Sequence, residues 1–168
     1  MRLVKSSATL LVLAACSVSM STGGFPPQIR TVAVLPFENN TSDPTLAQDV
    51  NRAVREAVQS RLGLRPAAED RADAVVRGTV TRYDPDQPIA FQGGASVSGR
   101  AAPVAVTKRQ VSITVDVEII DQKSGKPLWT GNNLSVQGEY DPGRESEGRR
   151  KALEKLVNSI VAGAQSQW

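Results

Sequence analysis

Few residues of this chain could act in catalysis or metal binding, because the chain has no His and only one Cys. The 168 residues include no His and a single Cys, Cys16. Without His there is no Ser-His-Asp or Cys-His arrangement for nucleophilic catalysis, and the usual His/Cys zinc site is excluded. A lone Cys forms no intrachain disulfide, so the chemistry open to Cys16 is modification of its own thiol.

Two carboxylates, Asp116 and Glu118, lie two residues apart and therefore on one face of a predicted strand. Such a pair can in principle act as acid and base or hold a cation. A solvated strand face explains the pair more simply. The Gly-rich stretch 93–100 lacks the Gly-Lys-Ser/Thr ending of a phosphate loop, which favours a flexible loop. We therefore expect no enzymatic activity, no cofactor and no metal.

The N-terminal segment has the pattern of a bacterial lipoprotein signal. Arg2 and Lys5 precede a short, mainly apolar run, residues 8–15. A bilayer span needs about 20 residues, so this run favours a secretory signal. The run ends in Leu-Ala-Ala-Cys, which matches the lipobox and predicts a signal peptide over 1–15 and lipidation of Cys16. An ordinary signal peptide with a chance Cys is the alternative.

Residues 16–28 are rich in Ser, Gly and Pro, which is typical of a lipidated flexible tether. Acyl chains on Cys16 would anchor the chain to a membrane that faces the periplasm. By the usual sorting rule, Ser17 after the Cys favours the outer membrane, whereas Asp would favour the inner membrane. We expect a lipid-anchored protein on the periplasmic side of the outer membrane.

The composition indicates one ordinary globular domain, which we place at 29–168. Hydrophobic residues make up 40% and charged residues 22%, whereas aromatic residues make up only 4%, so the core must be mostly aliphatic. Without Arg2 and Lys5 there are 18 basic against 17 acidic residues, a net charge of +1. A nearly neutral domain is a poor nucleic-acid binder by charge alone, so no nucleic-acid partner is expected.

The hydrophobic periodicity predicts six main elements. They are strands 31–37, 74–83, 109–121 and 127–138 and helices 45–62 and 145–165, with a bulge near Gly131 and a long loop or floppy hairpin over 84–107. Asp43 and Pro44 suit the start of the first helix. The order β-α-β-β-β-α predicts an α+β two-layer sandwich, in which two helices cover one face of a four-stranded, mostly antiparallel sheet.

Basic residues form three clusters: Lys108 with Arg109, Lys123 with Lys126, and residues 149–151. Lysine and arginine groups bind phosphate well. The simpler interpretation of each cluster is a solvated face.

Several segments together resemble the lipopolysaccharide-assembly lipoprotein family, LptE. They are the opening strand 29–38 (IRTVAVLPFE), the Asn-Asn-Thr turn with Pro44, the second strand 72–80 (ADAVVRGTV), the hairpin 111–129 with its Gly turn and Trp, and the closing helix that ends near Trp168. Each motif alone has low specificity for the family, but their order together with the lipobox is specific.

The resemblance implies a non-enzymatic protein that plugs a large outer-membrane β-barrel of the LptD type. It implies that the protein helps the barrel assemble, binds lipopolysaccharide and helps deliver it to the outer leaflet. Lys123 and Lys126 are our candidates for the lipopolysaccharide contact. Two alternatives share the opening strand: a lipoprotein regulator of a peptidoglycan synthase, and a curli-type secretion-pore subunit.

Overall fold

The computed structural model describes residues 25–94, 96–97, 100–101 and 103–167. Cys16, Trp168, the predicted signal peptide and most of the predicted tether lie outside the described residues. In chain order the elements are β1 (Thr31–Val34), β2 (Glu38–Asn39), α1 (Leu46–Ser60), β3 (Arg65–Pro66), β4 (Ala74–Gln92), β5 (Ser96–Val97), β6 (Arg100–Ala101), β7 (Ala105–Asp121), β8 (Pro127–Tyr140) and α2 (Glu145–Ser166).

The main sheet has six strands and mixed direction, so the prediction of four mostly antiparallel strands is only partly right. Its order is β3-β1-β4-β7-β8, and β2 pairs with β4 beyond the end of β1. The strands β1 and β2 run parallel to β4, because helix α1 provides the crossover that parallel strands need. The predicted strand 31–37 is interrupted at Pro36, which has no N–H to donate.

The core lies between the sheet and the two helices, as predicted. The alternate residues 111, 113, 115, 117 and 119 of β7 are all buried, and so are the apolar stripes of α1 and α2. Both predicted helices are confirmed to within two residues at each end. The N-cap of α1 is Thr45 rather than the predicted Asp43, and Pro44 precedes the helix. The Asp43 carboxylate nevertheless accepts hydrogen bonds from the N–H groups of Thr45 (2.8 Å) and Leu46 (3.2 Å) at the helix start.

The predicted bulge in β8 is confirmed. Val115 pairs with Leu134 and Val117 pairs with Gly131, so β8 has one extra residue between these pairs. Asn133 adopts a positive φ of 50° there, and its N–H donates to Asp116 Oδ1 at 2.7 Å. The bulge turns Trp129 and Val136 toward the same buried face.

Of the two alternatives predicted for 84–107, a long loop or a floppy hairpin, the structure shows the hairpin for most of that segment. Strand β4 continues to Gln92 and β7 begins at Ala105, so residues 84–92 and 105–110 form a two-stranded ribbon. Four register shifts interrupt the pairing between β4 and β7. These shifts and the Pro residues disturb the alternation of side chains, which is why the sequence did not distinguish a hairpin from a loop.

Candidate functional site

The face of the sheet opposite the helices is open and carries a cleft of about 470 Å³ that both polar and apolar residues line. Arg77 and Thr79 of β4 lie beside Glu118 and Asp116 of β7 in the antiparallel register, with Glu38 of β2 at the edge. The lining residues are Leu35, Pro36, Glu38, Arg77, Gly78, Thr79, Asp116, Val117, Glu118, Thr130 and Asn132. The alternation seen in the sequence therefore produces one dry and one polar face.

The polar groups of this cleft bind one another. Arg77 donates to Glu118 Oε2 from Nε (3.0 Å) and Nη2 (2.7 Å). The Thr79 hydroxyl donates to Glu38 Oε2 at 3.3 Å. Asp116 accepts a hydrogen bond from the N–H of Asn133 in the bulge of β8. Asp116 and Glu118 therefore bind different partners. This arrangement favours a packing or docking surface over an acid–base pair.

Lys123 and Lys126 lie in the turn between β7 and β8, and both are exposed. Asp121 shapes the turn: its Oδ1 accepts from the N–H of Lys123 at 2.9 Å, and its Oδ2 accepts from the Ser124 hydroxyl at 2.9 Å. The hydrogen bond from Ser124 lowers the pKa of the Asp121 carboxyl. Gly125 has a φ of +68°, which suits glycine at the tip of the turn.

This turn lies at the end of the sheet where the described chain begins. The N–H of Gln122 donates to the carbonyl of Asp73 at 2.9 Å. The Asp73 carboxylate in turn accepts hydrogen bonds from the N–H of Arg30 (3.0 Å) and from the hydroxyl of Thr31 (2.7 Å). The bond from Thr31 lowers the pKa of Asp73. The two lysines are therefore near the point where residues 16–28 join the domain.

The three basic clusters differ in whether their side chains form ion pairs with carboxylates. Ion pairs join Lys108 to Asp141 (3.2 Å), Arg109 to Asp86, Arg149 to Asp43 (2.7 Å), Arg150 to Glu154 (2.6 Å) and Lys151 to Glu147 (2.8 Å). Among the residues that the structure describes, Lys123 and Lys126 form no ion pair with a carboxylate. Of the three, this turn is the cluster whose positive charge is open to an external anion.

A polar cluster that the sequence did not reveal holds the root of the ribbon. The buried Tyr140 hydroxyl lies 2.8 Å from the carbonyl of Pro85 and 2.9 Å from Asp86 Oδ1, and Arg109 pairs with the same carboxylate. Burial first, and then the nearby Asp86, raises the pKa of Tyr140 to about 12. The hydrogen bond from Arg109 lowers the pKa of Asp86. The sequence had singled out Arg109, as part of a basic pair with Lys108, but not its partners Asp86 and Tyr140.

Within the described residues, no helix has the length and apolar character required to cross a membrane. In the same part of the chain, no three His, Cys, Asp or Glu side chains converge as a metal site would require. The fold and its surfaces define a two-layer α+β domain with a polar open sheet face and a basic turn, suited to binding.

The particular family follows from comparison with known proteins. The LptE family, described as lipopolysaccharide-assembly, matches residues 29–162. The chain therefore belongs to the LptE lipopolysaccharide-assembly family, as its motifs indicated. No curated protein matches the chain significantly.

Solved structures share the fold at low sequence identity. The PelC dodecamer from Paraburkholderia phytofirmans is 17% identical, with 86% of this chain and 96% of that chain covered and a TM-score of 0.53. A protein from Xanthomonas campestris is 11% identical, with 84% and 87% covered and a TM-score of 0.52. A hypothetical protein from Chlamydia trachomatis is 10% identical, with 82% and 99% covered and a TM-score of 0.50.

Proposed function

We propose that this chain is an outer-membrane lipoprotein, anchored through Cys16, that plugs an LptD-type β-barrel and helps it assemble. In this role it assists the delivery of lipopolysaccharide to the outer leaflet. The observation that carries the proposal is the family match over residues 29–162. The protein acts by binding, without catalysis or a cofactor.

The open sheet face supports the role of a plug. The lumen of an outer-membrane barrel is polar, and a plug must present polar groups without burying unpaired charge. On this face the carboxylates of Glu118 and Asp116 already have internal partners, which reduces the cost of covering them. The positive charge of Arg77 is likewise paired, with Glu118 at 2.7 Å.

Lys123 and Lys126 are the proposed contact with lipopolysaccharide. Both ammonium groups are exposed, and the turn that carries them is fixed by Asp121 and Gly125. The turn lies at the end of the domain that a lipid anchor on Cys16 would hold near the membrane. Phosphate groups of the lipid A headgroup are the anions that this pair of lysines would bind.

The deciding experiment is purification of the tagged, membrane-extracted chain in mild detergent, followed by identification of what accompanies it. We expect a stoichiometric LptD-type barrel. A Cys16→Ala variant serves as the matched control for anchoring, and it should lose the acyl mass and the membrane fraction. Recovery of a peptidoglycan synthase, or of a ring made only of this chain, would contradict the proposal and favour one of the two alternatives.

The lysine assignment is tested separately with purified lipopolysaccharide. The double variant Lys123→Glu, Lys126→Glu should bind at least about thirtyfold more weakly, since each basic group near an anionic headgroup contributes about 1 kcal/mol. Lys155→Glu, at an exposed position on α2, is the control for the single variant Lys123→Glu, because both change the net charge by −2. Equal weakening by the control would show that only the net charge matters.

A further inference from the structure

One edge of the main sheet carries exposed cations from four different strand ends. Strand β3 begins at Arg65, Arg30 directly precedes β1, and the turn with Lys123 and Lys126 joins β7 to β8. The register brings these ends together, because β1 begins beside the first residues of β3 and β4, and β4 begins beside the last residue of β7. We call these four residues the basic edge. Neighbouring strands lie about 4.8 Å apart, so the edge is about 19 Å long from β3 to β8.

The two arginines of the basic edge have no carboxylate partner. Among the described residues, neither Arg30 nor Arg65 forms an ion pair. The carboxylate of Asp73, at the same edge, already accepts hydrogen bonds from the start of β1. Residues 69–71 hold an internal ion pair, and Glu69 lines a different cleft. The positive charge of both arginines is therefore open to an external anion.

An apolar hollow of about 330 Å³ lies beside these two arginines. Its lining includes Phe25, Pro26, Leu62 and Leu64 next to Arg30 and Arg65, and no carboxylate belongs to it. Leu62 and Leu64 are buried parts of the core, whereas Phe25 is half-buried. Guanidinium groups bind phosphate well, and apolar side chains are stable at the boundary between lipid headgroups and acyl chains. The chemistry of the hollow therefore suits a phospholipid surface.

The basic edge also lies where the proposed anchor would hold the domain. Phe25, which lines the hollow, follows Cys16 by nine residues. Nine residues reach about 30 Å when fully extended. Acyl chains on Cys16 would therefore keep this edge within about 30 Å of the leaflet that holds them. Such tethering raises the effective concentration of headgroups around the two arginines.

We infer that Arg30 and Arg65 bind the phosphate groups of anionic phospholipids, so that this edge of the sheet rests on the membrane. The inference rests on the proposed function for its lipid anchor. Acyl chains on a flexible tether limit the distance of the domain from the membrane but leave its orientation open. The contact fixes the orientation, because the strands whose ends form the edge then point away from the membrane. A lipoprotein on the periplasmic side has its acyl chains in the phospholipid leaflet, which makes phospholipid rather than lipopolysaccharide the occupant.

The test uses the purified acylated protein in vesicles of phosphatidylethanolamine and phosphatidylglycerol that carry a short-range quencher on the headgroups. Gln28→Cys, at an exposed position, supplies one free thiol for a fluorophore, because acylation occupies Cys16. The fluorophore should be quenched in these vesicles, and much less so when phosphatidylcholine replaces phosphatidylglycerol. Raising the salt concentration to about 1 M should relieve the quenching, because the Debye length then falls to about 3 Å.

The double variant Arg30→Gln, Arg65→Gln should lower the ratio of quenched to unquenched protein about thirtyfold, which corresponds to about 2 kcal/mol for two basic groups at the surface. Arg82→Gln, Arg144→Gln is the matched control with the same change in net charge. Arg82 lies about 27 Å along β4 from its start, and Arg144 precedes α2 after the end of β8. The control should match wild type. Thermal melting of both variants should be unchanged, since all four side chains are exposed.

Equal quenching of wild type and the Arg30→Gln, Arg65→Gln variant in anionic vesicles overturns the inference. Quenching that requires added lipopolysaccharide also overturns it, because the occupant would then not be phospholipid. If the protein purified from membranes carries no acyl mass, the proposed anchor fails and this inference fails with it. An acylated protein that stays unquenched in anionic vesicles overturns the inference alone. The two failures are therefore distinguishable.

Discussion

Arg149 of α2 binds Asp43, which precedes α1: its Nη1 donates to Asp43 Oδ2 at 2.7 Å. Its Nη2 lies 3.0 Å from Asp49 Oδ2, and its guanidinium lies 5.5 Å from the centre of the Tyr83 ring. The side chains of Arg149 and Asp43 are only 18% and 23% exposed. One arginine thus joins both helices and the sheet at the end near the ribbon root.

Replacing Arg149 should destabilise the fold. Arg149→Met leaves Asp43 without its cation and leaves Asp49 with Arg52 alone, at 3.4 Å. Breaking a buried ion pair costs roughly 3–5 kcal/mol, less when the pair is partly exposed. We expect a loss of about 2–3 kcal/mol in the free energy of unfolding, measured with urea. Arg150→Met removes the neighbouring pair with Glu154, whose side chains are 61% and 60% exposed, and should cost about 0.5 kcal/mol or less. Equal losses in the two variants would contradict this assignment.

The same pair predicts a pH dependence. Burial alone would raise the pKa of Asp43, but hydrogen bonds from Thr45 and Arg149 outweigh it and lower the pKa from 3.8 to about 2. The carboxylate therefore stabilises the fold fully above pH 3.8, and this contribution is lost as the pH falls toward 2. Between pH 6 and pH 2, wild type should lose about 2 kcal/mol more than Asp43→Asn does. If wild type and Asp43→Asn lost the same free energy of unfolding between pH 6 and pH 2, the effect would be excluded.

Gly138 permits the close approach of α2 to β8. A Cβ at position 138 would lie 1.8 Å from the carbonyl oxygen of Gly148 and 2.7 Å from the nitrogen of Ala152, both backbone atoms. Gly138→Ala should therefore push α2 away from the sheet and cost about 3 kcal/mol in thermal or urea unfolding. Gly125→Ala, where nothing lies within 4 Å but φ is +68°, tests backbone strain alone and should cost about 1 kcal/mol.

Tyr140→Phe should loosen the ribbon without unfolding the core. The substitution removes the hydroxyl that contacts Pro85 and Asp86, and loss of one such hydrogen bond costs about 1 kcal/mol. Amide hydrogen exchange of residues 84–92 and 105–110 should then be about fivefold faster, while exchange in 111–119 stays unchanged. Uniform acceleration across β7 would mean that Tyr140 supports the whole fold rather than the ribbon.

Long, regular patterns were sufficient to predict the centre of the fold. The alternation from Val111 to Ile119 defined the core strand, and the apolar stripes defined both helices, because each pattern repeats over many residues. The mismatch between Trp129 and Val136 even located the bulge in β8. The short strands β1, β2 and β3 were partly missed, because two to four residues contain too little periodicity to indicate their partners.

The residue types and their order are sufficient to show that the chain has no His and one Cys, to predict the lipobox at Cys16 and to identify the LptE family. Which basic residues remain open to an anion depends instead on how the chain folds. Arg149 and Asp43 are 106 residues apart in the chain, and Lys108 reaches Asp141 across two strands. Charge compensation depends on distance in space, and the ribbon depends on backbone pairing that side-chain patterns do not record.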